Sequence, residues 1–384
     1  MENIVMQNIN VVVIGGGITG LGIARDAAMR GFKVTLIERY ELGSGTSGSF
    51  HGILHSGARY AVVDPESAVE CYQENQILRK TLKPAIIDTG GLFLAFDEAE
   101  LQYSEQLFSS CQKLKIPIEE LPLSEALRRE PRINKSLKRA LAVPDGYING
   151  TNTMALLKNS AENLGTQIMT HSKLTRFEQN NNGINRLLLT KTDGENIKIE
   201  ADFVINAAGI WASEVSNLLG LSINLVGDKG AMVVLQEKFS TALLNRCRMP
   251  SDGDQLLPAG NEYIIGTTST KTTDIDSHQV EQWEIDKLIS EAEMMVPGIS
   301  KSVIKRAFAG VRPLYAPASA SGNGRLDKRS FEVINHQNEG INNLISVVGG
   351  KFILHRLMAE KAVDEICREL GIEKQCQTAI IPLK

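Results

Sequence analysis

Hydrophobic positions near the start of the chain change their spacing twice within thirty residues. Residues 11–14 form an unbroken apolar run of strand length, residues 18–30 are alanine-rich at helical spacing, and residues 33–38 return to a short strand pattern. That order predicts one βαβ unit. Helical spacing recurs over 67–82, GGLFLAF at 90–96 starts a strand of a different group, and helices are expected over 98–114 and 123–130. Another helix is expected over 152–163, then alternating short strands over 167–200, then a buried strand running into a small-residue turn and helix over 201–212. Residues 221–312 read as β-rich with one helix over 281–295, and the chain closes on a strand and glycine turn at 345–352 and a helix over 353–370. QNNNGIN at 179–185 and SASGNGRLDK at 319–328 are loop punctuation, and no internal repeat interrupts the order.

The expected class is α/β, a Rossmann-type domain with an α+β, β-rich domain inserted into it. Residues 1–85, 150–220 and 325–384 are expected to form the discontinuous nucleotide-binding domain. Residues 86–149 and 221–324 are expected to form the substrate-binding domain.

Composition narrows the class without changing it. A chain of 384 residues exceeds what one core usually organises, so two cores are expected. The 22% charged fraction and net charge of −4 exclude a nucleic-acid-binding surface and extended disorder. Five cysteines, at 71, 111, 247, 367 and 376, are odd in number, scattered and without a CxxC pair, which argues against a disulfide framework, a redox dithiol and a metal site. No run approaches the roughly 20 apolar residues of a membrane span, and the first apolar run lacks a basic leader. The expected setting is the cytoplasm, with at most peripheral contact at the inner face of the cell membrane.

Gly15, Gly17 and Gly20 fit GxGxxG, a weak pattern by itself. Here it directly follows a strand and opens a helix, so Gly15 serves the tight turn, Gly17 the approach of a pyrophosphate and Gly20 the packing of helix on strand. The helix N-terminus offers N–H donors to that anion. Glu38 ends the second strand, where a carboxylate accepts from ribose hydroxyls and repels a 2′-phosphate. With a single complete fingerprint, separate FAD and NAD(P)H sites are not expected. Arg39 and the small, hydroxylated loop at 41–60, with Thr46 and Ser47, suit a large flat ring system. Ala208–Gly209 and Gly349–Gly350 add two close backbone approaches, so the expected cofactor is FAD.

His55 and Arg59 in HSGARY, Arg312 in AGVRPL and Lys351 in GGKF each adjoin a glycine turn. Should the turns converge, so do the cations, which suits a small anionic substrate. His55 reads either as a loop histidine satisfied by backbone or as a general base removing a hydroxyl proton.

The strings VIGGGITGLGIARDAAMRG, HGILHSGARYAV, ESAVECYQENQIL, VINAAGIWA, NRCRMPSDGD, IIGTTS, AGVRPL and VVGGKFILHRLMAEKAVDEICRELG span nearly the whole chain. Together they resemble the FAD-dependent glycerol-3-phosphate dehydrogenases, and NRCRMPSDGD is similar to the catalytic subunit of their anaerobic branch. The resemblance implies a D-amino-acid-oxidase/glycine-oxidase-like fold and oxidation of sn-glycerol 3-phosphate to dihydroxyacetone phosphate. It also implies electrons passed towards quinone through electron-transfer or membrane-anchor subunits. By resemblance His55 is the base, Arg59, Arg312 and Lys351 hold phosphate or polarise the reacting oxygen, and Tyr60, Thr267 and Thr268 line the substrate pocket. Two departures stand out. The chain stops at Lys384, where both branches continue into further domains, and Met232 in KGAMVV stands where the aerobic branch usually carries a histidine. The alternatives are a flavin enzyme for an amino acid or 2-hydroxy acid, and a non-catalytic FAD-binding subunit.

Overall fold

A computed structural model describes residues 8–181, 183–276, 278–316 and 330–384. The loop expected at 319–328, and residues 325–329 of the expected nucleotide domain, lie outside the described residues.

The apolar run at the start becomes the strand Asn10–Ile14, central in a six-stranded sheet. Its order is Phe331–Asn335, Leu344–Gly349, Phe203–Asn206, Asn10–Ile14, Lys33–Ile37 and Gln167–Met169, parallel except for the edge strand Phe331–Asn335. Strands buried on both faces need no polar alternation, which is why Val11, Val12 and Val13 are consecutive. Register then determines where chemistry can occur. Ile14 pairs with Ile37 on one side and Asn206 on the other, so Gly15, Glu38 and Ala207 leave the sheet at the same edge.

Helix Ile18–Met29 packs back on this sheet, and helix His355–Glu369 lies against it. Gly20 is required by space: a Cβ there would sit 1.9 Å from the Gly15 carbonyl oxygen. Gly15 itself has φ +109, and a Cβ would meet the Ala207 oxygen at 2.5 Å. Both the turn and the packing therefore demand glycine.

The second large sheet draws strands from Gly91–Ala95, Glu119–Leu121 and Arg139–Val143 and from six segments between Leu225 and Tyr315. Its longest pair, Leu225–Leu235 with Ile304–Tyr315, is antiparallel and sets Asp228 opposite Arg312. Helix Gln282–Met295 buries Leu288, Ala292 and Met295 in the core of this sheet. A three-stranded antiparallel sheet, Ser172–Asn180, Gly183–Lys191 and Asn196–Glu200, follows the edge strand of the first sheet. Helix ends fall within about two residues of those expected from the pattern, the ordinary scatter of end assignment.

Candidate functional site

One cavity of about 570 Å³ runs from the carboxyl edge of the six-stranded sheet to the face of the second sheet. At its first end, Gly15, Gly17 and Ile18 bring the start of helix Ile18–Met29 to the wall. Gly17, the cap, makes no side-chain capping bond, and the first turn carries no acidic residue. Among the described residues only the Ser47 hydroxyl answers this terminus, accepting from the Ile18 N–H at 3.0 Å. A helix N-terminus left without a protein anion inside a cavity fits a phosphate-bearing group.

Glu38 is fixed from both oxygens, accepting from the Gly16 N–H at 2.7 Å and the Tyr40 N–H at 2.9 Å. Its carboxylate is thereby oriented at the wall while retaining lone pairs for ribose hydroxyls. Arg39 stacks on Trp211, its guanidinium carbon 4.2 Å from the ring. The Thr46 hydroxyl donates to the Val311 carbonyl at 2.5 Å, pinning the loop to the second sheet. Ala208, Gly209, Gly349 and Gly350 line the same cavity. Gly20 alone of the expected cofactor residues is absent from the lining, because it is spent on packing beneath Gly15.

The other end holds His55, Arg59, Tyr60, Thr267, Arg312 and Lys351. Strings as distant as 55 and 351 do converge. Arg59 pairs with Asp254 through Nη2 at 3.1 Å, while its Nη1 is buried with no hydrogen-bond partner among the described residues. Asp254 is 0% exposed and also accepts from Arg248 Nε at 2.7 Å and the Ser251 N–H at 2.5 Å. Arg312 is held more completely. Its Nε lies 2.9 Å from Asp228, its Nη1 donates to Thr267 Oγ1 at 3.2 Å and its Nη2 to the Thr268 carbonyl at 2.8 Å. Lys351 Nζ lies 4.8 Å from the centre of the Tyr60 ring. Its field and hydrogen bond oppose, without cancelling, the burial that raises the Cys71 thiol to about 11.

Thr268 departs from the expectation that it meets substrate. Its hydroxyl donates to Glu284 at 2.9 Å and accepts from the Ala231 N–H at 2.8 Å, fully buried and outside the cavity lining. Alternation along the chain explains this, since Thr267 and Ser269 take the positions facing the cavity.

Residues 10–356 match the family described as FAD dependent oxidoreductase. The chain belongs to that family. It is 37% identical to a subunit of the anaerobic glycerol-3-phosphate dehydrogenase of Escherichia coli, over 98% of this chain and 70% of that protein. It shares the same identity with the corresponding protein of Haemophilus influenzae, over 97% and 67%. Among solved structures it is similar to the L-alpha-glycerophosphate oxidase of Mycoplasma pneumoniae with FAD bound, at TM-score 0.76 and 20% identity over 96% of each chain. The glycine oxidase of Bacillus cereus gives TM-score 0.75 and 20% identity over 98% and 99%, so the D-amino-acid-oxidase-type fold is shared.

In this FAD-dependent oxidoreductase several lining residues carry no motif. Ser172, Lys173 and Leu174 join Glu38 and Trp211 at the first end. Asp228 and Asp254, the buried partners of the two arginines, are legible only once distant strands are paired. His51 was within reach of sequence reasoning, as a second imidazole four residues before His55 in one loop. Burial first, then the fields of Arg312 and Arg59, lower it to about 3, so it is neutral. Met232, which by resemblance stands where the aerobic branch usually carries a histidine, lines the same cavity as an apolar side chain. No helix among the described residues is long and apolar enough to cross a membrane. Nor do they contain a cluster of His, Cys, Asp and Glu suited to a metal ion.

Proposed function

We propose that this chain oxidises sn-glycerol 3-phosphate at C2 to dihydroxyacetone phosphate. The observation that carries the reading is the gathering of Arg59, Arg312 and Lys351 at one end of a cavity whose other end is a helix N-terminus with no acidic residue in its first turn. Three cations beside an imidazole suit a substrate with a phosphate at one end and a hydroxyl to be oxidised near it. Gly15, Gly17, Ser47 and Glu38 would hold the pyrophosphate and ribose end of FAD, Ala208, Gly209, Gly349 and Gly350 would supply backbone against its remainder, and the bound flavin would provide the hydride acceptor for C2. In this reading the described residues of 1–85, 150–220 and 325–384 belong to the FAD-binding domain, and those of 86–149 and 221–324 to the substrate-binding domain.

Arg59, with its unmatched Nη1, and Lys351 bind the phosphate. Arg312, mostly committed to Asp228, Thr267 and Thr268, contributes a fixed positive field with little reorganisation. His55 takes the hydroxyl proton, and Tyr60, 5.3 Å from it ring to ring, supports its plane. Electrons then leave towards quinone through partner proteins at the inner face of the membrane, as suits relatives whose names make them one component of a larger dehydrogenase. An anaerobic titration of the purified holoprotein with glycerol 3-phosphate should bleach the flavin stoichiometrically. A flavin that stays oxidised with this substrate, or is reduced by glycine instead, rejects the reading.

A further inference from the structure

We propose that His51 is a substrate-contacting hydrogen-bond donor, a second imidazole whose Nε2–H is directed to the same oxygen from which His55 removes the proton. The inference rests on the glycerol 3-phosphate reading and deepens it. His51 lies between the turn Thr46–Ser49 and the strand Ile53–Leu54, and it lines the cavity. Its Nδ1 accepts from the Ile53 N–H at 2.9 Å, which places the proton of the neutral ring on Nε2. Nε2 has no protein partner among the described residues. The ring lies deep in the protein yet keeps part of its surface accessible, and that surface is cavity wall.

The ring is also held in place. Phe50 covers it at 4.8 Å between centroids and is itself stacked on Phe352 at 4.0 Å. His55 stands edge-on, 5.8 Å away with planes 89° apart. At that separation one oxygen can lie about 3 Å from a nitrogen of each ring. The two imidazoles therefore divide the work. A ring whose only open nitrogen already carries a hydrogen cannot act as the base, and Arg59 and Arg312 oppose its becoming an imidazolium. It can donate to the oxygen as negative charge grows there.

His51→Phe and His51→Asn, in the FAD-loaded full chain, test this by anaerobic stopped-flow flavin reduction. Loss of one such donor should slow reduction by glycerol 3-phosphate about 100-fold in His51→Phe, with partial recovery in His51→Asn. The acid limb of the pH profile should remain, since it belongs to another group. A second readout needs no turnover: in ¹⁵N spectra of the imidazoles, His51 should stay neutral and Nε2-protonated from about pH 5 to 8. Unchanged reduction in His51→Phe, loss of the acid limb, or a cationic or Nδ1-protonated His51 each overturns the assignment. Should His51→Phe fold poorly, His51→Asn and the spectra decide. A wild-type flavin that glycerol 3-phosphate does not reduce overturns the function instead, which distinguishes the two failures.

Discussion

The two ends of the cavity are built on opposite principles. The first end is mostly backbone, its turn and helix terminus coming from one strand, turn and helix within thirty residues, and its tolerances are steric. The second end is side chain, assembled from strings up to about three hundred residues apart, and its tolerances are electrostatic. A backbone site fails when one atom is added, whereas a side-chain site fails when one charge loses its counter-ion. The comparison can be broken at either end by a substitution that leaves the other intact.

Gly20→Ala should have the largest effect. Its Cβ would lie 1.9 Å from the Gly15 oxygen, a contact only backbone movement relieves, in the turn that lines the first end of the cavity. Overpacking costs about 1–3 kcal/mol where side chains can yield, and here the obstacle is backbone. The variant should lose its flavin on gel filtration, and a full flavin-to-protein ratio would contradict the steric account of this end.

Asp254→Asn comes next and should do the reverse. Removing one member of a buried ion pair costs about 3–5 kcal/mol. Part of that appears here as a lower Tm, since Asp254 holds both Arg59 and Arg248. Flavin should stay bound, because the glycine turn is untouched, while glycerol 3-phosphate binds at least about tenfold more weakly for each 1.4 kcal/mol of lost Arg59 alignment. Flavin loss with unchanged substrate affinity would show that the two ends are not separate.

The same contrast explains what the sequence made legible. Gly15, Gly17, Gly20 and Glu38 could be read in place because their partners are local and their spacing reports a geometry. His55, Arg59, Arg312 and Lys351 could be singled out as strings beside glycine turns, yet their counter-ions could not. Asp228 faces Arg312 through the register of two strands 84 residues apart, and Asp254 reaches Arg59 across 195 residues. Neither pairing leaves a periodic trace. Thr268 is a smaller case: resemblance marks the string IIGTTS, and only the fold shows that in the short link between the strands Glu262–Gly266 and Thr270–Thr272 its side chain is buried while Thr267 and Ser269 line the cavity.

Buried imidazoles sharpen the comparison through pH. His355, at the start of the helix His355–Glu369, packs against Gly22 and donates from Nδ1 to the Phe352 carbonyl at 2.9 Å; burial lowers it to about 4. The unfolded chain takes up this proton as pH falls below about 6.5, whereas the folded chain does not until about pH 4. Stability is therefore lost between about pH 6.5 and 4, by about 1.4 kcal/mol per pH unit from this residue. His355→Gln should flatten the dependence of Tm on pH in that window by one proton's worth, and an unchanged slope would mean that His355 is protonated in the fold.

Thr268→Val should have the smallest effect and discriminates most finely. The substitution keeps the shape of the side chain but removes the acceptor for the Ala231 N–H and the donor to Glu284, a residue that also pairs with Lys229 at 2.9 Å. An unsatisfied buried group costs about 1–3 kcal/mol, so Tm should fall while the strand pairing persists. If the hydroxyl is structural, as its two partners indicate, the rate of flavin reduction and the affinity for glycerol 3-phosphate stay at wild-type values. Thr267→Val instead removes the oxygen that accepts from Arg312 Nη1 at the cavity wall. It should weaken substrate binding severalfold with little change in Tm. Should Thr268→Val weaken binding as much as Thr267→Val, the alternation that assigns one threonine to the cavity and the other to the core is wrong, and with it the separation of steric and electrostatic tolerances at this wall.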